Sequence, residues 1–281
     1  MSGFCYVAKT TCSLKSPNRG VVMIPKRNRS AIAQYARTKG LESNVEYALI
    51  ALEAILPTLG PQSHSRVMVN RIGTILLQET VTIVAPSCPD YSHMNGKYDF
   101  NGVGTGLPLL SQLHISFLDS LVTKLPNANY EIVVADQEAE DTALCARTGL
   151  TQTQFSKKIH KSIEVTSDYL TTRGWRVSAM TERFPDLCRL EQEVAEEITN
   201  NRNLYNRIRS DTMARSNMYH SIGVHNFEDM QLRTIRTASQ YGAMAQIAAQ
   251  KQILICNHET VNLVWYNRYN AAVLHNPISV Y

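Results

Sequence analysis

Two short apolar runs with a helical pattern between them set the expected architecture of this chain. Val81 to Ala85 has the length and β-branched content of a buried strand, and Tyr130 to Ala135 has the same character. Between them, apolar residues recur at helical spacing from Leu109 to Leu121. A strand, a helix and a second strand in this order predict a βαβ unit with a parallel sheet.

The remaining pattern extends this unit with further helices and strands. The sequence therefore predicts an α/β fold, with a Rossmann-like parallel sheet flanked by helices. The further predicted elements are one or two strands within Val69 to Ala85, helices at Thr151 to Thr172, Leu187 to Ile208 and Tyr241 to Ala249, and strand-like runs at Ile253 to Cys256 and Val261 to Tyr266.

Charge is distributed unevenly, and this suggests how the chain is divided. The first 40 residues contain eight basic residues and no acidic one. Such a block attracts a polyanion such as RNA, or it is simply a solvated arm. We expect residues 1–75 to form a basic arm and a helical extension packed on the main domain, and residues 76–281 to form a Rossmann-like catalytic domain.

Composition excludes several classes of protein. A hydrophobic content of 44% and a charged content of 19% in 281 residues are typical of a globular protein. The six cysteines include no C-x-x-C pair, and the histidines do not cluster at metal-ligand spacing, which argues against a zinc site. No apolar run has the length of a membrane span, and Met1 to Arg19 lacks the apolar core of a signal peptide. We expect a cytoplasmic protein with free thiols and no membrane partner.

The candidate chemistry begins at Ser87, which follows the first strand. Pro86 cannot continue a strand ladder, so Ser87 is expected at the mouth of the sheet, where open α/β sheets bind ligands. Tyr241 in a helical segment and Tyr266 at the end of a strand-like run are expected to bring two hydroxyl groups toward it. These three residues together indicate acyl transfer, with Ser87, Tyr241 and Tyr266 as the catalytic residues.

The surroundings of Ser87 narrow the choice of acyl donor. No G-x-S-x-G elbow surrounds it and no Ser-His-Asp order can be defended, which disfavours a hydrolase triad. A serine without a nearby histidine needs a donor that is already activated, and an aminoacyl ester of tRNA is such a donor. Lys157, Lys158 and Lys161 share one side of a predicted helix, where they form either a phosphate-binding platform or an ordinary solvated face.

The long segment after Ser87 contains a glycine cluster that imitates a nucleotide-binding loop. The run Gly102 to Gly106 resembles a dinucleotide fingerprint, but a true fingerprint follows its strand directly and has an acidic residue at the ribose-binding distance. Neither condition holds here. We interpret Ser87 to Gly106 as a loop that lines the site and then leads into a helix.

From about Thr82 to Arg268, the order of these features resembles the tRNA-dependent cyclodipeptide synthases. That resemblance implies a fold like the catalytic domain of class I tyrosyl- and tryptophanyl-tRNA synthetases, without a nucleotide site. Ser87 stands at the position of the family's nucleophilic serine, and Asp90 at that of its asparagine. The features that match the family in order are Asp136 after the second strand, Gly149, the lysines Lys157, Lys158 and Lys161, Trp175, and Asn200 to Tyr205.

The chain departs from the family near its end. Tyr241 and Tyr266 match two family tyrosines, but Ala245 occupies a glutamate position, with Gln246 beside it, and Asn267 replaces a histidine. Glu259 either supplies a substitute carboxylate or is an exposed loop residue. These departures resemble the divergent eukaryotic branch that makes arginine-containing cyclodipeptides. A bound arginyl group would need a buried carboxylate, for which the candidates by charge are Asp90, Asp136, Glu138 and Glu259.

The resemblance implies an aminoacyltransferase of secondary metabolism that makes a diketopiperazine from two aminoacyl-tRNAs, without ATP, metal or cofactor. Ser87 would hold the first aminoacyl group as an ester, and the second aminoacyl-tRNA would then give a dipeptidyl enzyme. Tyr241 and Tyr266 would orient the α-amino group. Arg147 and the three lysines would hold the tRNA, and Asp90, Asp136, Gln246, Glu259 and Asn267 would bind substrate.

Two other functions fit the same sequence. Isocyanide synthases share a Rossmann-like order of elements and act on tyrosine or tryptophan, and the segment around His258 fits their need for basic side chains loosely. A non-catalytic tRNA-binding protein with a synthetase-like fold would explain the basic arm and the lysines equally well. The sequence leaves open which amino acids are joined, the role of the first 70 or so residues and the oligomeric state.

Overall fold

Five parallel strands form the central sheet of the protein. A computed structural model describes residues 23–87, 92–94, 97–99, 109–249, 251–256 and 260–276. A separate antiparallel hairpin, β2 and β3, lies within the segment predicted as a loop. The strands are β1 (Val81–Ser87), β2 (Ser92–Met94), β3 (Lys97–Asp99), β4 (Ala128–Val134), β5 (Arg176–Ala179), β6 (Gln252–Cys256) and β7 (Ala272–His275).

Helices precede the sheet and connect its strands. Among the described residues, three α-helices come before β1, one lies between β1 and β4, two between β4 and β5, five between β5 and β6, and one between β6 and β7. The α-helices are α1 (Lys26–Lys39), α2 (Val45–Ile55), α3 (Arg66–Leu76), α4 (Leu109–Val122), α5 (Thr142–Thr148), α6 (Gln152–Leu170), α7 (Met180–Arg183), α8 (Leu187–Asn200), α9 (Arg202–Ala214), α10 (Ser216–Ser221), α11 (Phe227–Ala248) and α12 (Thr260–Arg268).

The strand order is β5-β4-β1-β6-β7, and this order confirms the predicted Rossmann-like fold. From β1 the chain moves outward through β4 to β5, then returns across the sheet to β6 and moves outward again to β7. The order therefore reverses between β1 and β6. The crevice outside the carboxyl ends of these two strands is where open α/β sheets bind their ligands.

Burial of β1 on both faces follows from its central position. Ile83 and Val84 point to opposite faces of the sheet, and neither side chain is exposed to solvent. Because parallel crossovers are right-handed, α4 and α6 cover one face, while α12 covers the other. Two helix layers thus enclose the sheet and leave its carboxyl edge as the place where polar chemistry is concentrated.

The helices of the N-terminal extension share the core with the sheet. α3 packs against β6 and β7, and α1 packs against α3. A Cβ atom on Gly73 would lie 2.3 Å from Cδ1 of Ile32, so glycine permits the close approach of α1 and α3. Arg71 of α3 donates hydrogen bonds to the Oδ1 atoms of Asn267 (2.9 Å) and Asn270 (2.8 Å) at the end of α12.

Val261–Tyr266, predicted as a strand-like run, belongs to the helix α12. The stretch Val69 to Ala85, predicted to supply one or two strands, supplies one, β1, while Val69–Leu76 belongs to α3, whose buried residues follow helical spacing. Both runs are rich in β-branched residues, and short apolar runs do not distinguish a buried strand from a buried helix. Tyr266 consequently lies within a helix, and the prediction that it ends a strand is wrong.

The predicted helix from Leu187 to Ile208 is divided into α8 and α9. Asn201 ends the first and caps the second, because its Oδ1 accepts hydrogen bonds from the backbone N–H groups of Asn203 (3.0 Å) and Leu204 (3.2 Å). None of the described helices is both long enough and apolar enough to cross a bilayer.

Candidate functional site

Ser87 is the last residue of β1 and lies at the point where the strand order reverses. Its side chain is buried, with 3% of the residue exposed, and its carbonyl oxygen accepts a hydrogen bond from the N–H of Ala135 at 2.9 Å. β1 keeps its register with β4 through Pro86 to Ser87, so the strand extends two residues beyond the predicted end at Ala85.

Pro86 is tolerated in this strand because of the side toward which it points. In a parallel strand, the backbone N–H and C=O groups of successive residues point to opposite neighbouring strands. The backbone of Ser87 bonds to β4, so the backbone groups of Pro86 point to β6. Pairing between β1 and β6 ends at Val84 and Leu254. The N–H that proline lacks is therefore not required by the ladder, and the two strands separate just where the site begins.

His114 of α4 occupies the position beside this strand end. Its Nε2 lies 2.6 Å from the carbonyl oxygen of Pro86, and because that oxygen can only accept, Nε2 carries the proton. The ring is buried, and burial lowers the pKa of His114 to about 4, against a smaller opposite effect of the hydrogen bond to Pro86. His114 is thus neutral at physiological pH and positions the peptide that precedes Ser87.

The premise that Ser87 has no histidine nearby is therefore wrong. A signal for His114 was present in the sequence, since it lies at helical spacing from Leu110 and Phe117, on the face that points to the core. The low pKa of His114 makes it a weak base. Ser87 as a nucleophile therefore still needs an acyl donor that is already activated.

Tyr241 of α11 and Tyr266 of α12 are in contact with each other. Their ring centroids are 5.6 Å apart and the rings are nearly perpendicular, at 85°, which is a favourable edge-to-face arrangement. Tyr266 is 1% exposed. Burial raises the pKa of Tyr266 well above its usual value, and the nearby Cys256 and Tyr241 raise it further. Tyr266 is therefore a hydrogen-bond donor and not a base.

Cys256 connects the tyrosine pair to the end of β1. It is the last residue of β6, is 3% exposed and is not in a disulfide. Cys256 and Pro86 each lie two residues beyond the last paired residues, Leu254 and Val84. Ser87 and Cys256 thus flank the reversal of strand order, and Tyr266 lies close enough to Cys256 for their charges to interact.

Other predicted substrate-binding residues have structural partners. The carboxylate of Asp136 accepts hydrogen bonds from the N–H (3.0 Å) and the hydroxyl of Thr181. Asn267 is exposed and is held by Arg71 at the end of α12. Gln246 is half-buried on α11, next to the fully buried Ala245. Asp90 and Glu259 lie outside the described residues.

The predicted tRNA-binding residues lie on α5 and α6, toward the β5 side of the sheet. Arg147 and Lys157 are exposed and Lys158 is half-buried. Lys161 forms an ion pair with Glu164 at 2.9 Å, and this pair raises the pKa of Lys161. Part of the positive charge of this helix face is thus neutralised locally, which reduces its attraction for phosphate.

Sequence reasoning also missed Glu191 of α8, a half-buried carboxylate close to the carboxyl end of β4. Gln137, three residues beyond β4, donates a hydrogen bond from Nε2 to Oε1 of Glu191 at 2.9 Å. Burial raises the pKa of Glu191 to about 7, and Glu140 adds to this effect, while Arg236 and Gln137 oppose it. In the sequence, Glu191 belongs to a run of glutamates that is typical of an exposed helix face, so the pattern did not indicate this burial.

A surface cavity of about 440 Å³ lies elsewhere, between the start of α5 and the start of α11. Its lining includes His225, Asp229 and Arg233, and none of the residues predicted from sequence. Arg233, which lines the cavity, forms an ion pair with Asp141. Within the described residues, no group of three or more His, Cys, Asp or Glu side chains has an arrangement that would hold a metal ion.

Comparison with known proteins gives no further assignment. No protein-family model matches this chain, and no curated protein or solved structure shows significant similarity to it.

Proposed function

We propose that this protein is an aminoacyltransferase that uses Ser87 to make a cyclic dipeptide from two aminoacyl-tRNAs. The observation that carries the proposal is the position of Ser87: a buried serine at the carboxyl end of the central strand, where the strand order reverses. This position is the usual ligand site of the fold. The sequence resemblance to cyclodipeptide synthases supplies the substrate class.

In the first step, Oγ of Ser87 attacks the carbonyl carbon of an aminoacyl ester. The bond between that carbon and the ribose oxygen breaks, and the ribose hydroxyl of the tRNA takes up the proton. The free amine of the Ser87-bound group then attacks the ester carbon of the second aminoacyl-tRNA. The bond from that carbon to the ribose oxygen breaks, the ribose hydroxyl of the departing tRNA takes up the amine proton, and a dipeptidyl enzyme remains. Finally, the terminal amine of the dipeptide attacks the ester to Ser87, which closes the ring and regenerates the hydroxyl group.

The described side chains divide the supporting roles. His114 fixes the Pro86 carbonyl and with it the direction of the Ser87 backbone. Tyr266 stays protonated, so its hydroxyl group is suited to donating to a substrate oxygen or to receiving an ammonium contact through its lone pairs. Gln137 holds Glu191 just beyond the carboxyl end of β4, the strand next to β1, and we assign to this carboxylate the proton of the attacking amine, for which its pKa of about 7 is suited.

Two measurements test this function. Purified protein is incubated with charged tRNAs, intact mass is used to detect an aminoacyl adduct, and the products are analysed for diketopiperazines. We expect Ser87→Ala to lose both the adduct and the product, and Ser210→Ala, which changes an exposed serine on α9, to retain them. Product formation by Ser87→Ala at the parent rate would refute the proposal.

A non-catalytic tRNA-binding protein is the second candidate. It is favoured by the buried Ala245 at the family's glutamate position and by the engagement of Asn267 with Arg71. Binding to tRNA occurs under both functions. The absence of any covalent adduct from a protein that still binds charged tRNA would favour this second candidate.

A further inference from the structure

The start of α3 lies on the same edge of the sheet as Ser87. The 3-10 helix Pro61–His64 just before α3 is bound to the carboxyl end of β7. Gly60 donates its N–H to the carbonyl of His275 at 2.8 Å, and Oγ of Ser63 accepts from the N–H of His275 at 2.8 Å. His275 is paired with Cys256 of β6. α3 therefore begins at the carboxyl edge and descends to the amino edge, where β1 starts.

The start of α1 is fixed beside the start of α3. Asn28 is buried and donates from Nδ2 to the carbonyl of Arg66 (2.9 Å) and to Oδ1 of Asn70 (2.7 Å). One turn further along, Ile32 contacts Gly73 of α3. The two helices thus run side by side in the same direction, and both begin at the edge that carries Ser87.

Three exposed cations lie at these two helix starts: Lys26 and Arg27 on α1, and Arg66 on α3. We call them the N-terminal rim. Among the ion pairs of the described residues, none involves a member of the rim. Glu53 of α2, which faces α1, is already paired with Arg29. Among the residues that the structure describes, no ion pair therefore neutralises the positive charge of the rim.

We propose that the N-terminal rim binds the phosphate backbone of tRNA as its acceptor end enters the site. Neighbouring strands are about 4.8 Å apart, so the ends of β7 and β1 are roughly 10 Å from each other. Basic side chains at this separation reach phosphates of an RNA whose terminal ester is at Ser87. The inference rests on the proposed function for the identity of its partner.

Its position distinguishes the rim from the basic residues of α5 and α6. Those residues lie toward β5, on one side of Ser87, whereas the rim lies at the carboxyl end of β7, on the other side. A nucleic acid at the reversal point is thus met by positive charge from both sides. The helical extension thus binds the RNA on the side opposite to α5 and α6, a role that the sequence left open.

The test compares two variants of α1 that lose the same number of charges. Lys26→Ala with Arg27→Ala alters the rim, and Arg37→Ala with Lys39→Ala alters exposed cations about 17 Å farther along the helix. Binding of deacylated tRNA to the full chain is measured over a range of salt concentrations. Each lost phosphate contact lowers the slope of log affinity against log salt by about 0.9, which for two contacts amounts to about 30-fold in 0.15 M salt.

We expect the rim variant to lose affinity and slope on this scale, while the control variant stays close to the parent protein. Equal losses in both variants, or none in either, would overturn the inference. Tighter binding of the parent to anionic lipid vesicles than to tRNA, lost in the rim variant, would assign the rim to a membrane and overturn it too. Deacylated tRNA cannot acylate Ser87, so this result is independent of the Ser87→Ala test.

Discussion

Replacing Glu191 by glutamine should make the protein more stable at alkaline pH. Glutamine keeps an acceptor oxygen for the Nε2 donor of Gln137, and it removes the charge that the half-buried site disfavours. In the folded protein the pKa of Glu191 is raised from 4.5 to about 7. Between these values the folded state holds a proton that the unfolded state has released. The free energy of unfolding therefore falls as the pH rises through this window.

The size of the effect follows from the width of the window. Each pH unit over which the folded state alone keeps the proton costs about 1.4 kcal/mol, which gives about 3 kcal/mol in full. Solvent reaches the half-buried carboxylate and Arg236 compensates part of its charge, so we expect about 1–2 kcal/mol. At pH 8 the variant should exceed the parent protein by this amount. Below pH 4.5 the two should be nearly equal.

The assay is chemical denaturation of both proteins at several pH values from 4.5 to 8, followed by comparison of their unfolding free energies. Glu193→Gln is the matched control, since Glu193 is an exposed carboxylate on the same helix that pairs with Arg189. Its difference from the parent should not follow the pH course of the Glu191 variant. A difference between Glu191→Gln and the parent that is constant over this range would refute the reasoning.

Four further substitutions, at three positions, test the site and the packing of the core. Tyr266→Phe removes only the hydroxyl group, so product formation should fall, and it keeps the edge-to-face ring contact, so the melting temperature should stay close to the parent value. Tyr266→Ala removes the buried ring and should lower the free energy of unfolding by about 3–5 kcal/mol. Arg183→Met leaves the buried carboxylate of Glu131 without the two 2.8 Å bonds from Arg183 Nε, which should cost about 3–5 kcal/mol; an unchanged denaturation midpoint would contradict this. Gly242→Ala places a Cβ 2.8 Å from Val194 and Tyr269, so stability should fall by about 1–3 kcal/mol, and a more stable variant would show that α8 and α11 yield easily.

The sequence alone determined the α/β class and the place of Ser87. The run Val81 to Ala85 is too apolar and too β-branched for anything but a buried element, and the βαβ order then required a parallel sheet. The sequence also singled out Tyr241 and Tyr266 as candidate residues. It predicted a strand around Tyr266, however, whereas this segment is a helix in which the two rings are in contact.

Tertiary structure decided what local patterns leave undetermined. Val69–Leu76 is helical because its buried face meets the sheet with helical spacing, and Val261–Tyr266 belongs to a helix in which Trp265 and Tyr266 are buried; a short apolar run does not reveal either outcome. The neutral state of His114 and the raised pKa of Glu191 depend on burial by distant segments. The position of the N-terminal rim likewise depends on hydrogen bonds between distant segments. Asn28 binds α3, and His275 binds the 3-10 helix just before α3. Periodicity in a sequence reports which face of an element is apolar, but only the assembled core fixes which polar groups lose their water.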